Sequence, residues 1–169
     1  MSLFITPLFR INTLIYAATI QTEANTTEAN AVRTILRVSK GLVWRIEVEF
    51  PPGCSGLAYL QIFDGAYQMF PSSIGEGAHS DAAIIGFDDL YMKSSEPFEF
   101  VIKTWNLDDT WNHTLQVRLG MASSEAYMSR YLPSASWESF SKMIASAEAE
   151  QEKQREVQRQ VLLEKIGEL

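Results

Sequence analysis

The sequence predicts a mainly β protein: an antiparallel β-sandwich or jelly roll of about eight strands over residues 11–133, followed by one long C-terminal α-helix over 134–169. Three observations predict it. Apolar and polar residues alternate over short stretches, turn-forming residues punctuate those stretches, and the composition becomes helical after Pro133. Residues 1–10 form an apolar N-terminal arm ahead of the domain.

The first two strands are expected over Ile11 to Ile20 and Val32 to Val38, both rich in β-branched residues, and Ser39-Lys40-Gly41 serves as a short turn. From Leu42 to Phe50 the alternation places Leu42, Trp44, Ile46, Val48 and Phe50 on one face and Arg45, Glu47 and Glu49 on the other, a half-buried strand. Pro51-Pro52-Gly53 cannot continue a ladder. Strands at Leu57 to Phe63 and Ala66 to Phe70 flank Asp64-Gly65, which suits the positive φ of a tight hairpin. Pro71 to Ser80 is a long, small, polar loop, either mobile or ordered by a partner. A further strand follows at Ile84 to Met92. Phe98, Phe100 and Ile102 then alternate with Glu99 and Lys103, and Leu115, Val117, Leu119 and Met121 with Thr114, Gln116 and Arg118.

Short turns between successive strands imply antiparallel neighbours. No helix of useful length interrupts residues 11–121, so the crossovers of a parallel sheet are absent.

Ser134 or Ser136 is the expected N-cap of the helix, with Glu138 near the positive end of its dipole. Trp137, Phe140, Ile144 and Ala147 form one apolar stripe, suited to docking on the sandwich or on a neighbour. Gln151, Gln154 and Gln158 continue that stripe as a polar middle, where Glu152 with Arg155 and Glu156 with Arg159 are spaced to pair in solvent. The tip is apolar again, with Val161, Leu162, Leu163, Ile166 and Leu169, and calls for a partner.

A formal charge of −7, from 14 basic and 21 acidic residues, comes without any cluster of Lys or Arg, which argues against direct binding to nucleic acid. The single cysteine, Cys54, excludes an internal disulfide and a cysteine-based zinc site. The start carries no positive charge, and Pro7, Arg10 and Asn12 break its apolar stretches, so neither a signal peptide nor a membrane span is expected.

Three groups bear on chemistry. Trp105 and Trp111 flank a polar loop with Asp108 and Asp109, a shape suited to stacking on a sugar ring or to forming a protein interface. Asp64, Asp81, Asp88, Asp89, Asp108 and Asp109 are candidates for calcium at one end of the sandwich, although turns also favour aspartate for local hydrogen bonding. His79, His113 and Cys54 sit in no catalytic motif, and His79 with Glu76 or Asp81 is the one arrangement suited to acid–base or metal chemistry. No catalytic residues, metal or cofactor are assigned.

A sandwich without a recognisable reaction centre, an arm containing Leu3, Phe4, Ile5, Leu8 and Phe9, and a helix with a sticky end together suggest contact rather than reaction. In this layout the whole chain resembles the small β-sandwich accessory proteins of tailed-phage particles, of the decoration, vertex or head-to-tail type. The resemblance rests on architecture and assigns no residue role. It implies a non-enzymatic, capsid-associated structural subunit, made in the host cytoplasm and located in the virion, with a cytoplasmic protein as the alternative. Its partners would be further copies or a larger assembly such as a capsid. Interface residues are expected at Phe4, Ile5, Trp137, Phe140, Ile144, Val161, Leu162, Ile166 and Leu169. The alternative function is a carbohydrate- or calcium-binding sandwich module built on the Trp105–Trp111 loop.

Overall fold

The computed structural model describes residues 13–167, so the N-terminal arm with Phe4 and Ile5, and Leu169 at the other end, lie outside the described residues. Nine strands follow one another: β1 (Thr13–Thr22), β2 (Val32–Arg37), β3 (Gly41–Phe50), β4 (Ala58–Asp64), β5 (Tyr67–Phe70), β6 (Ala78–His79), β7 (Ala83–Lys93), β8 (Glu99–Asn106) and β9 (His113–Ala122). Two α-helices complete the described residues, α1 (Ser124–Tyr131) and α2 (Trp137–Gly167). Helix α1 was not foreseen; Ser123 caps it by accepting the N–H of Ala126 at 3.2 Å. Helix α2 starts one residue after Ser136, whose hydroxyl accepts the N–H of Ser139, as the capping pattern required.

The strands make two antiparallel sheets, one ordered β1-β9-β3-β7 and the other β2-β8-β4-β5, with β6 paired to β4. The order is nested: β1 pairs with β9, β2 with β8, β3 with β7 and β4 with β5. This corrects the inference from short turns. Ser39-Lys40-Gly41 does join consecutive strands, yet β2 and β3 lie in different sheets, so the turn is a corner between layers. Gly41 is required there by close approach, since a Cβ would fall 2.7 Å from the carbonyl oxygen of Ala122. Asp64-Gly65 does turn the β4–β5 hairpin, with Gly65 at φ +60°.

The facing sides of the two sheets form the core. Ile46, Val48 and Phe50 of β3 and Leu115, Val117 and Leu119 of β9 meet Leu60 and Ile62 of β4 and Phe100 and Ile102 of β8, all buried. A bulge between Val43 and Arg45 shifts the register of β3 against both neighbours, which reverses the inside–outside parity before it. Val43 therefore joins the core, and Trp44 leaves it to pack on Tyr131 of α1, ring centroids 5.4 Å apart. The expected placement of Trp44 beside Ile46 fails because alternation assumes an unbroken pleat. Gly120 makes room for the displaced indole, which would lie 2.8 Å from any Cβ at that position.

Helix α2 lies along β7 and β5, the edge strands on one side of the sandwich. The residues that touch those edges are the glutamines. Gln158 accepts the backbone N–H of Gln68 and donates to its carbonyl, both at 3.0 Å. Gln151 does the same for Met92, at 3.1 and 3.2 Å. Each carboxamide thus supplies the donor and acceptor that a neighbouring strand would have supplied. The polar middle of α2 is a docked seam and not a solvated span. Of the two ion pairs expected there, Arg159 does pair with Glu156 at 3.1 Å, whereas Arg155 turns inward.

Replacing Gln158 by Ala strips both partners from a buried backbone unit, and the expected loss is about 1–3 kcal/mol in urea unfolding. Gln151→Ala, at a part-buried site, is expected to lose less. Equal and negligible losses for both would show that water replaces the seam.

Candidate functional site

Beneath the seam the sequence places charge where none was foreseen. Asp64 closes β4, Tyr91 and Lys93 lie at the end of β7, and Arg155 reaches in from α2. The Asp64 carboxylate accepts from Lys93, from the Tyr91 hydroxyl at 2.6 Å and from Arg155 at 2.7 Å; Arg155 also donates to the Tyr91 oxygen. Burial pushes the Asp64 carboxyl up, but the hydrogen bonds from Lys93 and Tyr91 and the charges of Lys93 and Arg155 outweigh it and leave it below its ordinary value. Burial and the adjacent Asp64 raise the Tyr91 phenol, which stays protonated as a donor. A groove of about 410 Å³ opens beside the cluster, lined by Asp64, Tyr67, Glu96, Arg155, Arg159 and Leu163. Lys93 is 1% exposed and does not line it, so the amine is a buried counter-charge and not a presented nucleophile. Alternating patterns could not reveal the cluster, because Lys93 and Asp64 sit at strand ends where polar residues are ordinary.

The Trp105–Trp111 loop is built differently from its expectation. Trp105 belongs to β8, is buried, and stacks on Tyr59 with centroids 5.1 Å apart; a Cβ on Gly77 would strike its ring at 2.4 Å. Only Trp111, 68% exposed, is presented. Asp108 is buried and organises the loop: its carboxylate accepts the N–H groups of Thr110 and Trp111 at 2.8 and 2.9 Å and meets Nε2 of His113 at 2.9 Å. The two backbone N–H groups first, then His113, hold Asp108 down to about 2. Asp109 is exposed and accepts from its neighbour Thr110 at 2.7 Å.

The remaining candidates are also committed locally. Asp81 accepts the N–H groups of Gly53 and Ser55 at 2.9 and 3.1 Å, and Asp88 pairs with Arg45 at 3.1 Å. Among the described residues no group of three His, Cys, Asp or Glu side chains is placed to hold a metal ion. Exposed His79 rests on Tyr59 with centroids 4.9 Å apart, whereas His113 is tied to Asp108. The buried Cys54 thiol donates to the carbonyls of Pro51 and Ser80, and burial raises its pKa, which disfavours the thiolate. The Pro71–Ser80 loop is ordered from within. Gln68 donates to the carbonyls of Pro71, Ser73 and Glu76 and accepts from Gly75.

Apolar side chains also stand on the outer surface. Opposite the core, β2, β8 and β4 bring Ile35, Val101 and Phe63 into one cross-strand row. Ile35 is 55% exposed, and Val101 and Phe63 are partly so. A hollow beside that row is lined by Phe63, Ala66, Ile74 and Leu162 together with Glu28, Lys103 and Lys165, and at the tip of α2 Leu163 and Ile166 are 61% and 67% exposed. Val161 and Ile144 are half-buried, Trp137 is half-exposed, and Phe140 is spent inside the chain against Tyr127 and Trp137. The apolar tip of the helix was legible in the sequence. The row on the sheet was not, because its members come from three strands whose order only the fold reveals.

Asp64→Ala leaves Lys93 charged and buried without its carboxylate, and unfolding free energy is expected to fall by about 3–5 kcal/mol. Asp108 titrates below the value of about 3.9 that it takes when unfolded, so its contribution is complete above that value and disappears as pH falls toward 2. Asp64 and Asp81 shift in the same direction, so what they contribute is likewise lost on the acid side. Thermal unfolding should therefore drop steeply on the acid side, and Asp108→Asn should start lower at neutral pH and fall less steeply. Parallel acid limbs for the two proteins would contradict this.

No protein-family model matches the chain, and no curated protein matches it. A solved structure titled as the capsid asymmetric unit of cyanophage Pam1 is similar over 68% of this chain and 87% of that one, with 14% identity and a TM-score of 0.49.

Proposed function

We propose that this chain is a non-enzymatic structural subunit of a larger protein assembly, a capsid-associated virion protein that works through protein–protein contacts. The observation that carries the reading is two sets of apolar side chains at the described surface, the Ile35–Val101–Phe63 row on one sheet and Leu162, Leu163 and Ile166 at the tip of α2. Apolar area of this kind is stabilised by a partner that removes it from water. The nested strand order is read as a jelly roll, an arrangement that viral capsid domains and lectins both use. The virion setting rests on layout: a sandwich, an apolar sequence over residues 1–10 before it and a helix with an apolar tip after it. Homo-oligomers and a capsid surface are the partners this reading names. No helix among the described residues is long and apolar enough to cross a membrane.

One observation favours a second reading. Trp111 stands exposed on a loop that Asp108 holds rigid, as a single stacking platform for a sugar would. Titration of the protein with glycans, with and without calcium, would show saturable heat that vanishes in Trp111→Ala if that reading holds.

Light scattering tests the assembly reading. The purified chain is expected to run above its monomer mass of 19.1 kDa. Joint replacement of Ile35, Leu163 and Ile166 by Asp should lower the native mass while changing unfolding free energy by no more than about 0.5 kcal/mol per site, as befits exposed positions. A chain that stays monomeric at every concentration, alone and with capsid material, would overturn it.

A further inference from the structure

We infer that β1 is a pairing edge for β1 of a second copy of this chain, joining two four-stranded sheets into one continuous sheet across a two-fold axis. This deepens the assembly reading by naming the partner and the surface, and it rests on a separate part of the molecule from the apolar row.

The observation is a contrast among the edges of the sandwich. An edge strand exposes alternate N–H and C=O groups, and proteins that stay apart blunt such edges with charge, proline, bulges or a covering element. Three edges here are treated in those ways. Helix α2 covers β5 and the Met92 end of β7, where Gln158 and Gln151 take up the backbone groups. The rest of β7 contains Gly86 and carries Asp88 and Asp89. Strand β2 has six residues, of which Arg33 and Arg37 are charged.

Among the described residues strand β1 shows none of these devices. Its ten residues, Thr13–Thr22, include no charge, no proline and no glycine, and they pair with β9 in unbroken register from Thr13–Ala122 to Thr22–His113. In such a ladder every second residue of β1 turns both backbone groups away from β9. Ile15, Ala17, Thr19 and Gln21 form its outward row, with Ile15 70% exposed. The strand beside it adds no free charge, because Arg118 of β9 is held by Glu47 and Glu49 at 2.8 and 2.7 Å.

A second β1 is the occupant that fits. Among the described strands it is the uncharged edge without a cover, and two identical antiparallel strands are self-complementary across a two-fold axis. With the axis normal to the sheet near Ala17, outward residues face outward residues, and Ile15 of each copy lies beside Thr19 of the other. Small side chains at Ala17 and Ala18 sit at the axis, where the copies approach most closely.

The test uses the full chain in sedimentation equilibrium over a concentration series, with amide hydrogen exchange at low and high concentration. The wild type is expected to dimerise, with alternate β1 amides becoming protected as concentration rises. Joint replacement of Ala17 and Thr19 by Lys places like charges across the axis and should weaken dimerisation roughly tenfold or more, with thermal stability unchanged. A wild type that associates while β1 amides exchange equally fast at both concentrations would overturn the inference and leave the assembly reading standing. So would an oligomer that the two lysines do not disturb. A chain monomeric throughout would overturn the inference and the homo-oligomeric part of the proposed function together. The exchange measurement uses unmodified protein, so misfolding of the lysine variant would not remove the test.

Discussion

A sandwich made of two open sheets has four edges, and every edge carries backbone donors and acceptors that water or protein must satisfy. The rest of this structure is arranged around that requirement. On one side the chain meets it with glutamine. A carboxamide holds a donor and an acceptor in one plane at the end of a flexible stem, so a helix can reach across and bond both groups of one strand residue. Gln151 and Gln158 do so at Met92 and Gln68, two successive points along α2. The spacing of the helix sets which residues of the two sheets are clamped together.

The buried ion cluster belongs to the same device. Asp64 comes from one sheet, Lys93 and Tyr91 from the other, and Arg155 from the helix, so a single carboxylate ties all three layers. Burying such charges gives little net stability in general, but it fixes geometry, since any displacement leaves a charge unpaired in a dry place. With the helix fixed over the seam, its last turns bring Leu162 to the hollow beside Phe63 and leave Leu163 and Ile166 exposed. The polar seam and the apolar tip are thus consecutive parts of one helix. The first orients the helix, and the second supplies surface for a partner.

Much of the architecture was legible in advance. Alternation placed the strands to within one or two residues at most ends, and composition placed α2 with a cap at Ser134 or Ser136, of which Ser136 is the one that bonds, because both signals are local. Errors came from three non-local effects. The bulge at Trp44 shifted parity in a way that only the register of two neighbours reveals. The corner at Gly41 joined strands of different sheets, although its turn residues look like those of a hairpin. Gln151, Gln154 and Gln158 read as solvent-facing because hydropathy cannot separate a polar residue facing water from one facing a strand edge. For the candidate site the same holds. Trp111 and the tip of α2 were legible as exposed features, whereas Trp105 and Asp108 turned inward, and the row of Ile35, Val101 and Phe63 required knowledge of strand order.

The nested pairing also fixes an order of events. Of the described strands β1 leaves the ribosome first and its partner β9 last, so their sheet cannot be completed until almost the whole described domain exists. The hairpin of β4 and β5 lies at the centre of the nest and can form early, with the outer pairs closing over it from inside to outside. Throughout translation the uncharged first strand therefore waits without its mate. Nascent chains crowded on one messenger would offer each other the same strand before each can offer its own ninth, which favours slow, dilute production or an attendant chaperone.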